Sequence, residues 1–217
     1  MSANHWRILF QSLGETLLLI GIVGAFALVL GTILGIILFA SQERSIAYHR
    51  PAFIFLNAII NTLRAIPFVI LLIIMLPITA HIMGTILGYK AALPALIVAV
   101  VPFFARIVYL ALDGVPKGVI EAMQAMGLAR ARMLWLLIQE ARSAIIAGFT
   151  ITLVTLVGFI AAATVIGTGG LGATAYNHGF LRNNLPLMYT ATLLMILLVF
   201  ALQFLGDMVV KFLKKKE

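Results

Sequence analysis

The chain has 217 residues, of which 63% are hydrophobic and only 10% charged, against about 25% charged in soluble domains. A water-soluble core of this size cannot hide so much apolar surface, so lipid must be the solvent for most of it. The formal charge of +8, from 15 Lys and Arg against 7 Asp and Glu, then reads as membrane topology rather than nucleic-acid binding, and the lack of cysteine excludes disulfides and thiolate metal sites.

Residues 1–14 hold His5 and Arg7 without a small-residue cleavage site, and the apolar run that follows is too long for the core of a signal peptide. They read as an uncleaved amphipathic lead-in lying at the membrane interface, anchored by Trp6. The first span is expected over residues 16–40, which carry no charge. Gly31 and Gly35 form a GxxxG step within it, with Gly21 and Gly24 above, giving a flat surface for a neighbouring helix.

A second span is expected over residues 52–78 and a third over 91–112. Pro67, Pro77, Pro94 and Pro102 lie in or beside them, each removing a backbone donor and tending to kink or end a helix. Two kinked spans fit a wall around a pathway, and they fit a passive bundle as well. Arg64 lies about 18 Å along the second span, counted from Ala52 at 1.5 Å per residue. Burying its charge in lipid costs at least about 2.5–3.5 kcal/mol on insertion scales. It must therefore snorkel, meet the carbonyls of a Pro67 kink, or border a transport pathway. Asn57 and Asn61 share its helical face.

Residues 113–142 are the long charged segment in an otherwise apolar chain. Asp113-Gly114 and Pro116 announce a turn and a helix start, Gly127 a break, and Arg130 a second amphipathic stretch. Val119, Ala122, Met123, Met126 and Leu128 fall on roughly one face, to be covered by lipid headgroups or by a groove in a soluble partner. A fourth span is expected over residues 144–166 and a fifth over 185–205. Between them, Gly167-Thr168-Gly169-Gly170-Leu171-Gly172 matches GxGxxG, but no strand precedes it and no acid follows about 20 positions on, so a flexible outer turn is expected rather than a dinucleotide site.

With five spans, the termini face opposite sides. One side gathers Arg44, Arg50, Arg106, Lys117, Arg130, Arg132, Arg142, Lys211, Lys214, Lys215 and Lys216; the other has Arg7, Lys90 and Arg182. That asymmetry puts the N-terminus outside and the C-terminus in the cytoplasm. No P-loop, HExxH or GxSxG occurs, and His5, His49, His81 and His178 lack ligand spacing, so neither catalysis, ATP binding nor a metal site is expected of this chain.

The stretch from Asp113 to Gly127, with Val115-Pro116, Glu121-Ala122 and Ala125-Met126-Gly127, resembles the EAA loop of ABC importer permeases. Glu121, Ala122 and Gly127 match at the family spacing; Met123 replaces the second Ala, and the distal proline is missing after Ile138-Gln139-Glu140. Asn61 to Phe68, Thr150 to Gly158, Gly169 to Gly172 and Gln203 to Asp207 are similar to the methionine-uptake permeases.

The resemblance implies an all-α integral membrane protein with the type I importer permease fold, one domain over residues 1–217, in a bacterial inner membrane. It implies a homodimer, two cytoplasmic ATPase subunits carrying ATP and Mg, and an external methionine-binding lipoprotein. Pro116, Gly118, Ile120, Glu121, Ala122, Ala125, Met126 and Gly127 would form the coupling helix; Arg64, Pro67, Gly158, Ala161, Ala162 and Gly167 would line the pathway or its outer gate. An importer for another small solute, an ion-coupled secondary carrier and a non-transporting scaffold are the alternatives. The carrier should show inverted repeats and acids well inside its spans, and neither is expected here.

Overall fold

The computed structural model describes residues 3–42 and 48–215; Arg44 and Lys216 of the charge asymmetry fall outside them. Every regular element in this range is helical. The first 38-residue helical stretch, Asn4–Ser41, is built from α1 (Ala3–Phe26), a wider π turn (Ala27–Gly31) and α2 (Thr32–Ser41). At 1.5 Å per residue it is about 57 Å long, well beyond a hydrocarbon core of about 30 Å. The expected lead-in is thus not a separate segment: it runs into the first span as one helical stretch. Leu9, Ser12 and Thr16 follow one another at helical spacing and are all buried, which fastens this part of α1 to the protein, while Trp6 and Phe10 remain exposed.

The expected second span is also corrected. It is two helices, α3 (Arg50–Ala65) and α4 (Phe68–Met83), bent by 108°. Pro67 has no N–H to continue the ladder and forces the residue before it out of the helical region; Ile66 is extended, with ψ 124°. His49 caps α3, its ring nitrogen Nδ1 accepting the Ala52 N–H at 3.2 Å.

The third span, α5 (Tyr89–Asp113), stays unbroken through Pro94 and Pro102 and lies at the centre of the bundle. It packs against α1, the π turn, α2, α3, α4 and α8. The GxxxG step meets this helix as expected: a Cβ at Gly31 would come 3.2 Å from the Val101 carbonyl, and one at Gly35 would come 2.6 Å from that of Ala105. Helices without side chains at the contact approach closely enough for dispersion to hold them in lipid, where no hydrophobic effect acts between helices. Gly24 does the same against Leu153, and Gly21 faces open space.

Two shorter helices, α6 (Lys117–Ala125) and α7 (Arg130–Glu140), follow at one end of α5 and lead into the fourth span, α8 (Arg142–Ala162). A 3-10 turn (Ala163–Ile166), the short α9 (Gly170–Ala173) and a second π turn (Thr174–Phe180) connect it to α10 (Leu185–Lys214). At 30 residues, α10 outruns the expected span and carries Asp207 and Lys211 on its final turns. It packs on α8, where Gly206 lies against Thr150.

Candidate functional site: an exposed helix, a polar seam and a fastened glycine loop

Glycine and proline delimit α6. Gly114 caps α5, with its N–H on the Leu110 carbonyl at 3.0 Å, and Pro116 leads into the helix at φ −55°, ψ 132°. At the far end the Gly127 N–H reaches the Gln124 carbonyl at 2.9 Å and the Leu128 N–H reaches that of Met123 at 3.3 Å. This paired termination needs a left-handed residue, and Gly127 supplies it at φ +67°. The chain then turns back, and Leu128 packs on the core.

The helix has an inner and an outer side. Val115 and Met123 are buried, and Val119 and Ile120 pack on the core cluster. Gly118, Glu121, Ala122, Ala125 and Met126 are exposed, Met126 at 67%. The apolar face expected from the sequence is thus divided: Val119, Met123 and Leu128 point inward, Ala122 and Met126 outward. Among the residues assigned to coupling, Ile120 belongs to the inner anchor, whereas Pro116 and the rest are on the surface. α7 repeats the pattern with Met133 and Leu137 buried and Trp135 exposed. The missing distal proline does not prevent the return to the bundle. Ala141, at φ −82° and ψ −1°, joins α7 to α8 while its N–H keeps the Leu137 carbonyl at 2.9 Å and its own carbonyl keeps the Ile145 N–H at 2.9 Å.

The face of α3 that carries Asn57, Asn61 and Arg64 meets α5. Asn57 Oδ1 accepts from Asn61 Nδ2 at 3.1 Å and from Arg106 at 3.2 Å. The Arg106 guanidinium lies 4.7 Å from the centre of the Tyr109 ring, and Arg64 lies 5.8 Å from that of Phe103. The Tyr109 hydroxyl donates to Gln42 Oε1 at 2.8 Å, and Gln42 Nε2 donates to Asp113 Oδ1 at 3.0 Å. A continuous polar seam therefore joins the middle of α3 to the root of α6. Arg106, read from sequence only as one of the basic residues gathered on one side, is a member of this seam, and Tyr109 and Gln42 carried no signal of their own.

The residues assigned to the pathway occupy three places. Pro67 makes the α3–α4 break, next to which Phe68 stacks on Phe159 at 4.7 Å. That contact brings the break beside Gly158, which faces away from it, into a cavity of about 330 Å3 between α8 and α10. Val154, Ala161, Thr192, Met195 and Phe200 share this cavity, whereas Ala162 packs toward the core. Gly167 is at the turn that follows α8, with φ +69°.

That turn is not the loose connection expected from its glycines. Glu15 accepts the Gly170 N–H at 2.7 Å, and Thr16 Oγ1 accepts the Leu171 N–H at 3.0 Å while donating to the Ser12 carbonyl at 2.9 Å. The Ser12 and Thr174 hydroxyls share a hydrogen bond of 2.5 Å. Two free amides at the start of α9 are satisfied from α1, and the carboxylate suits their positive end. Gly169 and Gly170, at φ +79° and +80°, let the backbone come this close. Glu15 stands in the first helix directly before the uncharged run of residues 16–40. Its signal was an acid opening a long apolar run, opposite glycines whose amides needed partners.

The binding-protein-dependent transport system inner membrane component family matches residues 28–216. The methionine import system permease protein MetP of Bacillus subtilis (strain 168) is 40% identical over 181 residues, covering 83% of this chain and 82% of its own length. The probable D-methionine transport system permease protein MetI of Pasteurella multocida (strain Pm70) is 39% identical over 208 residues, covering 95% and 96%. A chain of the MetNI methionine ABC transporter, solved in inward-facing conformations, superposes with a TM-score of 0.95 at 37% identity over 98% of this chain and 99% of that one. With the matched region running from the end of α1 to the end of α10, this chain belongs to the binding-protein-dependent transport system inner membrane components, the permeases of ABC importers.

Proposed function

We propose that the chain is the permease of an ATP-driven methionine importer, acting as a homodimer with two cytoplasmic ATPase subunits and an external methionine-binding lipoprotein. The observation that carries this reading is α6: anchored inside by Val115, Val119 and Met123, it offers Gly118, Glu121, Ala122, Ala125 and Met126 to a partner. An amphipathic helix with one face held and the other open suits the helix-in-groove mode. Relatives named for methionine import supply the substrate class.

ATP and Mg are held by the ATPase; the permease contributes no catalytic group. Closure of the nucleotide sandwich pulls on α6, and its inner anchor carries the displacement into the bundle, biasing it between inward-open and outward-open states. The Gln42 bridge to Asp113 ties the root of α6 to the end of α2 and to Tyr109. Gly158, Ala161, Ala162 and Gly167, with the Arg64–Pro67 region, border the path. The chain resides in a bacterial inner membrane with its N-terminus outside and the basic end of α10 in the cytoplasm.

The test is uptake of labelled L- and D-methionine by the complex reconstituted with ATPase and binding protein. Uptake requires ATP and is competed by unlabelled methionine; the double variant Glu121→Ala with Gly127→Trp loses both ATPase co-purification and uptake. Unchanged uptake in that variant would show that α6 is not the coupling element.

A further inference from the structure

The seam between α3 and α5 is rich in donors and poor in acceptors. Asn57 Oδ1 already takes two hydrogen bonds, from Asn61 and Arg106. Arg64 lies over Phe103, one helical turn before Arg106 on α5, so both guanidinium groups are on the same face. Among the described residues no carboxylate forms a hydrogen bond or ion pair with either; Asp113 reaches the seam only through Gln42 and Tyr109. Each guanidinium offers up to five N–H donors in a planar fork that matches an oxyanion, and an exposed Arg64 has most of them free to do so. Two cations at membrane depth, stacked on rings and facing an amide pair, are stable where an anion or water meets them, not against hydrocarbon.

We propose that Arg64 and Arg106, with the Asn57 amide, form an oxyanion-binding site that holds the carboxylate of the transported amino acid at the α3–α5 face. This rests on the reading that the face borders the transport path. The same two forks accept a phospholipid phosphate, and the two sources separate experimentally. The site also favours substrates that present a carboxylate, because two fixed cations repel a cationic side chain directed at them.

The test uses the transporter reconstituted in phosphatidylcholine nanodiscs with its ATPase subunits and without binding protein, so that only permease sites are read. Labelled L-methionine binds and is displaced by unlabelled methionine, while methioninol, which lacks the carboxylate, is at least about tenfold weaker. Arg64→Gln and Arg106→Gln each weaken methionine to the level of methioninol, and Arg64→Lys recovers part of the affinity with normal ATPase co-elution. If methionine does not bind but native mass spectrometry finds a phospholipid on the wild type that both Gln variants lose, the site stands with phosphate as its occupant. Methioninol competing as well as methionine, or binding unchanged in both Gln variants, overturns the site. Uptake by the same two Gln variants separately tests the path: normal uptake with weakened binding removes the pathway reading of this face and leaves the binding result standing on its own.

Discussion

Glu15 and Gly170 are 155 positions apart, yet the Glu15 carboxylate accepts the Gly170 N–H at 2.7 Å. The bond joins the middle of α1 to the glycine turn between the fourth and fifth spans. A hydrogen bond to a charged group contributes about 1.5–3 kcal/mol, and removing the acceptor leaves the Gly170 amide without its partner. Glu15→Ala is therefore expected to destabilise the protein by about 2 kcal/mol, measured as a lower midpoint of thermal unfolding in detergent. Glu15→Gln keeps an oxygen acceptor and should lose less than half of that.

Gly127 reads out differently, because the strain falls on the turn between α6 and α7. An alanine there must hold φ +67°, at a cost of about 1–2 kcal/mol. Gly127→Val should lower ATP-driven uptake severalfold while the membrane bundle, assessed by thermal unfolding, changes little. An equal loss of both would mean that the turn supports the whole fold rather than the docking geometry of α6.

At Gly35 the constraint is space. Its ideal Cβ would come 2.6 Å from the Ala105 carbonyl, backbone that cannot rotate away. Overpacking of this kind costs about 1–3 kcal/mol or more, so Gly35→Leu should reduce the folded yield in membranes. Gly21→Leu, at a position with no neighbouring atoms, serves as the control and should not.

Tyr109 tests the seam as a mechanical link. Tyr109→Phe keeps the ring under Arg106 and removes the hydroxyl that reaches Gln42 at 2.8 Å. If the seam transmits movement from the root of α6, the variant hydrolyses ATP at a near-normal rate but imports fewer substrate molecules per ATP, by about twofold or more, the effect of losing one hydrogen bond of about 1 kcal/mol. An unchanged ratio assigns the hydroxyl to local packing alone.

Pro67 can be examined through the bend it creates. Pro67→Ala restores an N–H and relieves Ile66 of its extended conformation, so the 108° break loses its main cause. Spin labels on α3 and α4 should report a wider angle, and uptake should fall as the Phe68–Phe159 contact is displaced.

Much of this protein is written locally. Hydrophobic run length marks the membrane helices, because a lipid solvent requires about 20 apolar residues per crossing. Gly114, Pro116 and Gly127 mark the limits of α6, because backbone conformations there depend on residue type more than on surroundings. The GxxxG step at Gly31 and Gly35 announces a close helix contact before its partner is known. Tertiary structure decided what depends on pairing across the chain. Which side of α6 faces inward followed from the core under Val119 and Met123, so Ile120 joined the anchor and Met126 the surface. Pro67 could have kinked a span or broken it, and the folded chain shows a bend of 108° with Phe68 stacked on Phe159 beside it. Glu15 and Thr16 each found a backbone partner 155 positions away, and Arg106 met Asn57 across 49. Such bonds are invisible to local pattern because their geometry exists only once the helices have assembled.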